Sequence, residues 1–203
     1  MHTVQCLLEA LRAERRERRP APAAPRPPAP PAEERLALPR GRAVLLRPIR
    51  PQDAEAEQAF VSGLSLASRH KRFHVGLRQL SPAMLHQMTV VDPAQHVALV
   101  AEALTPEPDA APRLVADARY VHLAGQPGEA EFALAVADDW QSLGLGRTLI
   151  DRLARRARHQ GLRALVGDVL PENRRMLVLM RGLGAHTRPH PDGPSLVQVV
   201  FPL

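Results

Sequence analysis

Between residues 130 and 161 three signals follow one another without a gap. "AEFALAVAD" (130–138) is short, mostly apolar and free of glycine and proline, as a buried strand is. "TLIDRLARRARHQG" (148–161) puts Leu149, Ile150, Leu153, Ala154 and Ala157 on one helical face and stops at Gly161. Between them lies "WQSLGLGR" (140–147), with two glycines two residues apart where a helix must start. Glycine there costs up to about 1 kcal/mol of helix stability, so the bare backbone serves something besides folding. The first N–H groups of a helix are unpaired and carry partial positive charge, and glycines let an anion come close to them. The loop therefore suits a pyrophosphate. It is not a Rossmann fingerprint, because Leu149 stands where the third glycine belongs, and it has no Gly-Lys-Ser/Thr of a Walker loop.

The segments around this junction extend the pattern. "AVLLRPIR" (43–50) reads as a strand, and "PQDAEAEQAFVSGL" (51–64) as a helix opened by Pro51. "SPAMLHQMTV" (81–90) is a second helix with Ser81 as N-cap. "HVALVAEAL" (96–104) and "RLVADARYVHL" (113–123) are strands separated by the turn-rich "TPEPDAAP", and "AGQPGE" (124–129) turns the chain back into 130–138. After the glycine loop come a strand, "LRALVGDVL" (162–170), and a helix, "PENRRMLVLMRGLG" (171–184), with Met176, Leu177, Met180 and Leu183 inward. A last strand, "SLVQVVFPL" (195–203), closes the chain. This order predicts an α+β domain over 43–203, a mixed and mostly antiparallel sheet flanked by helices.

Residues 1–42 read differently. Val4, Leu7, Leu8 and Leu11 predict a helix over 3–19 that becomes highly charged, and "PAPAAPRPPAPP" (20–31) is a polyproline linker. The helical arm is either a solvated extension or a docking helix for a partner or a second copy. The chain carries a net charge of +6, but +4 of it lies in residues 1–42, so the body lacks the basic footprint of a nucleic-acid-binding domain. One cysteine, Cys6, excludes a disulfide framework and a cysteine-rich zinc site. His70 and His74 stand at i, i+4 with no third ligand beside them, so no metal is expected. No apolar run reaches membrane-spanning length and none opens the chain as a secretory leader, which implies a cytoplasmic protein with no membrane partner. A single lysine, Lys71, stands against 26 arginines, a bias read as one of nucleotide composition.

Gln-x-x-Gly-x-Gly at the mouth of a helix after a strand resembles the acyl-CoA pyrophosphate loop of the GNAT N-acetyltransferase superfamily. "LLRPIRPQDAE", "RFHVGLRQLSPAMLHQMTVVD", "HVALVA", "AEFALAVADDWQSLGLGR" and "LVGDVLPENRRML" are most similar to its bacterial protein-lysine acetyltransferase group, often fused to an acyl-CoA synthetase-like domain. The resemblance covers about 160 residues. It implies acetyl-CoA as co-substrate and an amine acceptor. The backbone of Leu134, Ala135 and Val136 would bind the pantetheine arm. Gln141, Ser142, Leu143, Gly144, Leu145, Gly146, Arg147 and Thr148 would form the pyrophosphate loop. Arg147 and Arg152 are the candidates for the 3′-phosphate. Asn173 would meet the pantetheine, cap its own helix, or do both.

Acetyl transfer to a lysine needs a base, because the amine has a pKa of about 10.4. Strand alternation puts Glu131 with Ala133 and Ala135, on a face of small residues that leaves room for an amine. The resembling group also implies a glutamate at this position. Asp168 is the reserve base. The helix after Asn173 has no tyrosine, the residue many GNAT enzymes use as acid for the leaving thiolate, and Tyr120 is expected to pack elsewhere. Acceptor choice is expected to lie in loops 65–79 and 189–194. The expected acceptor is a protein lysine, the alternatives are a small-molecule amine or a non-catalytic acyl-CoA-sensing domain, and the expected assembly is a monomer or a homodimer.

Overall fold

The computed structural model describes residues 33–104 and 111–203, so the expected N-terminal helix and polyproline segment lie outside the described residues. Eight strands form one sheet: β1 (Glu34–Leu38), β2 (Arg42–Pro48), β3 (His96–Ala103), β4 (Leu114–His122), β5 (Glu129–Val136), β6 (Ala164–Val169), β7 (His186–Pro189) and β8 (Val197–Pro202). Their order is β1-β2-β3-β4-β5-β6-β8-β7, and every neighbouring pair is antiparallel except β5–β6. Five helices complete the described residues: α1 (Ala54–Gly63), α2 (Leu66–Phe73), α3 (Pro82–Thr89), α4 (Leu145–His159) and α5 (Arg174–Arg181).

The sheet is buried on both faces, as its long apolar strands require. On one face Leu145, Leu149, Ile150, Leu153, Ala154 and Ala157 of α4 pack with Tyr120, Phe132 and Leu165. On the other, Phe60, Val61, Phe73 and Met88 from α1–α3 pack with Ala98, Val100 and Ala135. The α4 apolar stripe is the one its sequence spacing predicts. Tyr120 is fully buried and donates to Gln160 Oε1 at 2.7 Å.

The parallel pair controls the site. β5 and β6 are in register only at Glu129–Ala164, Ala130–Leu165 and Glu131–Val166. The two strands then part while β5 runs on to Val136, paired along its other edge with β4. The Phe132 ring lies against Gly167 at the fork: a methyl group there would sit 2.6 Å from the ring. Beyond Phe132 the β6-facing edge of β5 pairs with no strand, and the Val136 carbonyl on it accepts from Gln141 Nε2 at 3.1 Å.

Three features differ from the sequence reading. The sheet starts at Glu34, not Ala43: β1 pairs along its whole length with β2, and Leu36 and Leu38 pack against the core. β1 therefore lies on the N-terminal side of the 42/43 boundary expected from the sequence, in "ERLAL", a short segment between proline and charge. α2 replaces an expected loop; its eight residues carry large apolar side chains only at the ends, Leu66 and Phe73. Ser65 Oγ caps it by accepting from the Ser68 amide, and left-handed His74 (φ 56°) ends it. β7 is an exposed edge strand with no apolar alternation to announce it.

Candidate active site

The fork opens into a cleft of about 690 Å³, within the range of ligand sites. Its walls are the end of β5, the glycine loop, the start of α5 and one face of α2. Leu134, Ala135, Val136, Gln141, Ser142, Gly144, Gly146, Arg147 and Asn173 all line it, so most residues singled out in the sequence converge there. Leu143 and Leu145 bury their side chains in the core and leave only backbone to the loop. Thr148 sits one turn into α4, its amide 3.1 Å and its hydroxyl 3.3 Å from the Gly144 carbonyl.

The two glycines do different jobs. Gly144 is the N-cap of α4 with φ +85°, and a Cβ there would meet nothing within 4 Å. Its role is conformational, since an L side chain is strained at that φ. No side chain caps this helix, so its leading amides face the cleft without a protein cap. Gly146 already lies inside α4, and a Cβ would stand 3.3 Å from Leu134 Cδ2 and 3.6 Å from Leu179 Cδ2. It lets helix, strand and α5 approach one another while the residue also lines the cleft.

Gln141 ties the walls together. Its Nε2 donates to the Val136 carbonyl at 3.1 Å and to Ser68 Oγ at 3.5 Å, and its Oε1 accepts from Arg175 at 2.5 Å. Asp138 holds α2 in place by accepting from the Ser65 amide (2.9 Å), Ser65 Oγ (2.9 Å) and Ser68 Oγ (2.7 Å). Partial burial works against this carboxylate, but those hydrogen bonds outweigh it and hold its pKa below the ordinary value.

Asn173 caps α5, its Oδ1 accepting from the Met176 amide at 3.4 Å, which leaves the side-chain NH₂ as a donor at the cleft. Arg147 lines the cleft and reaches the Gly182 carbonyl at 3.4 Å. Arg152 does not: it grips Glu34 of β1 at 2.8 and 2.9 Å and Asp151 at 2.8 Å, away from the cleft. Arg174 and Arg175 stand at the mouth instead. Both directly follow Asn173 in "PENRRM". Ser65, Ser68, Lys71 and Arg72 join the cleft wall through α2, a helix with too few apolar residues to announce itself in the sequence.

Glu131 and Asp168 are not wall residues. Glu131 is half-buried at the last paired position before the fork, opposite Val121 on β4 and Val166 on β6. Its charge acts on buried Arg72 of α2. Asp168, two residues along β6 from Val166, shares that face but is engaged by His190 Nε2 at 3.1 Å and Gln198 Nε2 at 3.3 Å. Beneath them Arg119 is paired with Asp117 and lies 3.8 Å from fully buried Glu57. Burial, then the Asp117 charge, pushes the Glu57 pKa well up. Burial also opposes charge on Asp117, but Arg119 outweighs it and keeps that carboxyl ionised.

The sequence is 38% identical over 161 residues to an acetyltransferase of Pseudomonas aeruginosa, an overlap spanning 79% of this chain and 84% of that protein. The chain belongs to the GNAT acetyltransferase family. Residues 106–185 match the family described as acetyltransferase (GNAT). The acetyltransferase Pat of Mycolicibacterium smegmatis is 32% identical over 147 residues, which are 71% of this chain and 42% of that longer protein. The GNAT domain of S. lividans PAT superposes with a TM-score of 0.74 at 28% identity, covering 84% of this chain and 97% of that one. The α+β fold and N-acetyltransferase class expected from the sequence are thus borne out. Enzymes of this family use acetyl-CoA as the acetyl donor.

Proposed function

We propose that this GNAT domain acetylates the side-chain amine of a protein lysine by direct attack, with Glu131 as general base. The observation that carries the reading is the cleft wall that runs from the unpaired β5 edge to the uncapped start of α4, with Glu131 on β5 at the last paired position before the fork. Acetyl-CoA bound there supplies a thioester. The edge groups of Leu134–Val136 offer hydrogen bonds to the pantetheine arm as an added strand would, and the Asn173 side-chain amide donates from the opposite wall. Backbone amides of the 141–148 loop receive the pyrophosphate, and Arg147, Arg174 and Arg175 supply cations for the phosphates. Gln141 and Asp138 position the walls. Glu131 takes the amine proton as nitrogen attacks, directly or through one water, and Asp168 is the reserve in that role. The likeness to the Pat and PAT relatives supports this choice of acceptor.

Transfer from labelled acetyl-CoA to a panel of proteins and small amines tests this. Label on protein lysines is the expected result. Label only on small amines replaces the acceptor class, and binding of acetyl-CoA with no transfer to any acceptor makes the domain a sensor. Calorimetry showing no acetyl-CoA binding defeats the reading at its root.

A further inference from the structure

Lys71 is the only lysine in the chain, against 26 arginines, and it is exposed in the wall of the acyl-CoA cleft. Its place along that cleft follows from the anchors of α2. Ser65 and Ser68, at the start of the helix, are tied to Asp138 beyond the end of β5, beside the pyrophosphate loop. The far end of the helix reaches the other end of the site: Arg72 feels the charge of Glu131, and His74 that of Asp168. Helix α2 therefore runs alongside β5 from the phosphate end towards the fork. Lys71 lies three residues beyond Ser68, about 4.5 Å further along the axis at 1.5 Å per residue. Ser65, Ser68, Lys71 and Arg72 all line the cleft, as residues spaced three to four apart on one helical face do. The single side-chain amine of the protein thereby stands in the α2 wall of the cleft, next in sequence to the arginine on which the Glu131 charge acts.

We propose that Lys71 is a self-acylation site: the domain transfers the acyl group of its own bound acyl-CoA to Lys71 Nζ. The unprotonated amine attacks the thioester carbonyl carbon and a C–N bond forms. The C–S bond breaks, CoA leaves as thiolate, and the amine proton passes to water at the exposed mouth. No oxidant or further reactant is needed. The product is an amide that neutralises one cation of the cleft wall. The inference rests on the acetyl-CoA reading above, and the experiment keeps the two apart.

The full chain is incubated with acetyl-CoA and followed by intact-mass spectrometry and peptide mapping, with binding measured in parallel by calorimetry. One acetyl group is expected, on the peptide carrying Lys71 rather than on the chain's α-amine. Its rate should saturate with acetyl-CoA at the concentration that saturates binding, rise with pH, and fall when excess CoA competes. Lys71→Arg, with its own acetyl-CoA affinity read by the same calorimetry, should gain no acetyl group at saturating acetyl-CoA. Bound acetyl-CoA with no adduct on Lys71 overturns the inference and leaves the acetyl-CoA reading standing. An adduct that grows linearly with acetyl-CoA and ignores CoA also overturns it, as solution chemistry. Absence of binding overturns both.

Discussion

Replacing each loop glycine by alanine separates conformation from packing. At Gly144 the backbone has φ +85° and ψ −9°, and an added methyl would meet nothing within 4 Å. The cost is therefore that of holding an L residue in the left-handed region, about 1–2 kcal/mol. For a domain of this size 1 kcal/mol is worth roughly 2–4 °C, so Gly144→Ala should lower Tm by about 2–8 °C. At Gly146 the balance differs. The residue is helical, so alanine gains up to about 1 kcal/mol of propensity, against a methyl only 3.3 Å from Leu134 Cδ2. A flexible leucine end can give by a few tenths of an ångström, and the net change should fall within about 1 kcal/mol of zero. Urea and thermal unfolding read the two costs, and calorimetry reads acetyl-CoA affinity. Affinity should fall for Gly144→Ala, because relieving the strain turns the leading amides of α4 away from the cleft. The reasoning is refuted if Gly144→Ala is as stable as wild type, or if Gly146→Ala is the more damaged of the two.

Glu131→Gln keeps the shape of the side chain but cannot take the amine proton. It should lower kcat by about 10²–10⁴ while acetyl-CoA affinity stays unchanged, and a deeper loss in Asp168→Asn would move the base to β6. Removing residues 1–32 should leave cooperative unfolding intact, whereas removing 1–42 also deletes β1 and the Glu34–Arg152 pair; equal stability of the two truncations would show β1 to be dispensable. Burial raises the Glu57 pKa, so the stability contributed by its bound proton is full below the unfolded value near 4.3 and is lost as pH rises towards the folded one, by up to about 1.4 kcal/mol per pH unit. Glu57→Gln removes that loss. Urea titrations from about pH 4 to pH 7 should show the variant gaining on wild type as pH rises, and a gap independent of pH would mean Glu57 is ionised in the fold.

The sequence by itself determined the strand–loop–helix junction at 130–161, because apolar periodicity and glycine placement are local properties that need no partner. It likewise located the Ser81 and Asn173 caps, which act within three residues of themselves. The tertiary structure alone decided the rest. α2 has too few apolar residues to declare itself, and becomes a wall of the cleft only through Asp138, 70 residues away from Ser68. The pairing of β1 with β2 and the capture of Arg152 by Glu34, 118 residues apart, are long-range events with no local signature. The two glycines look alike in the sequence, yet one is set by its dihedral angle and the other by a leucine on a neighbouring strand. The fork itself depends on β5 and β6 pairing at three positions and no more, with Phe132 packed against Gly167. Backbone conformation can be read from local residue type, but which surfaces meet is fixed only when the whole chain has packed.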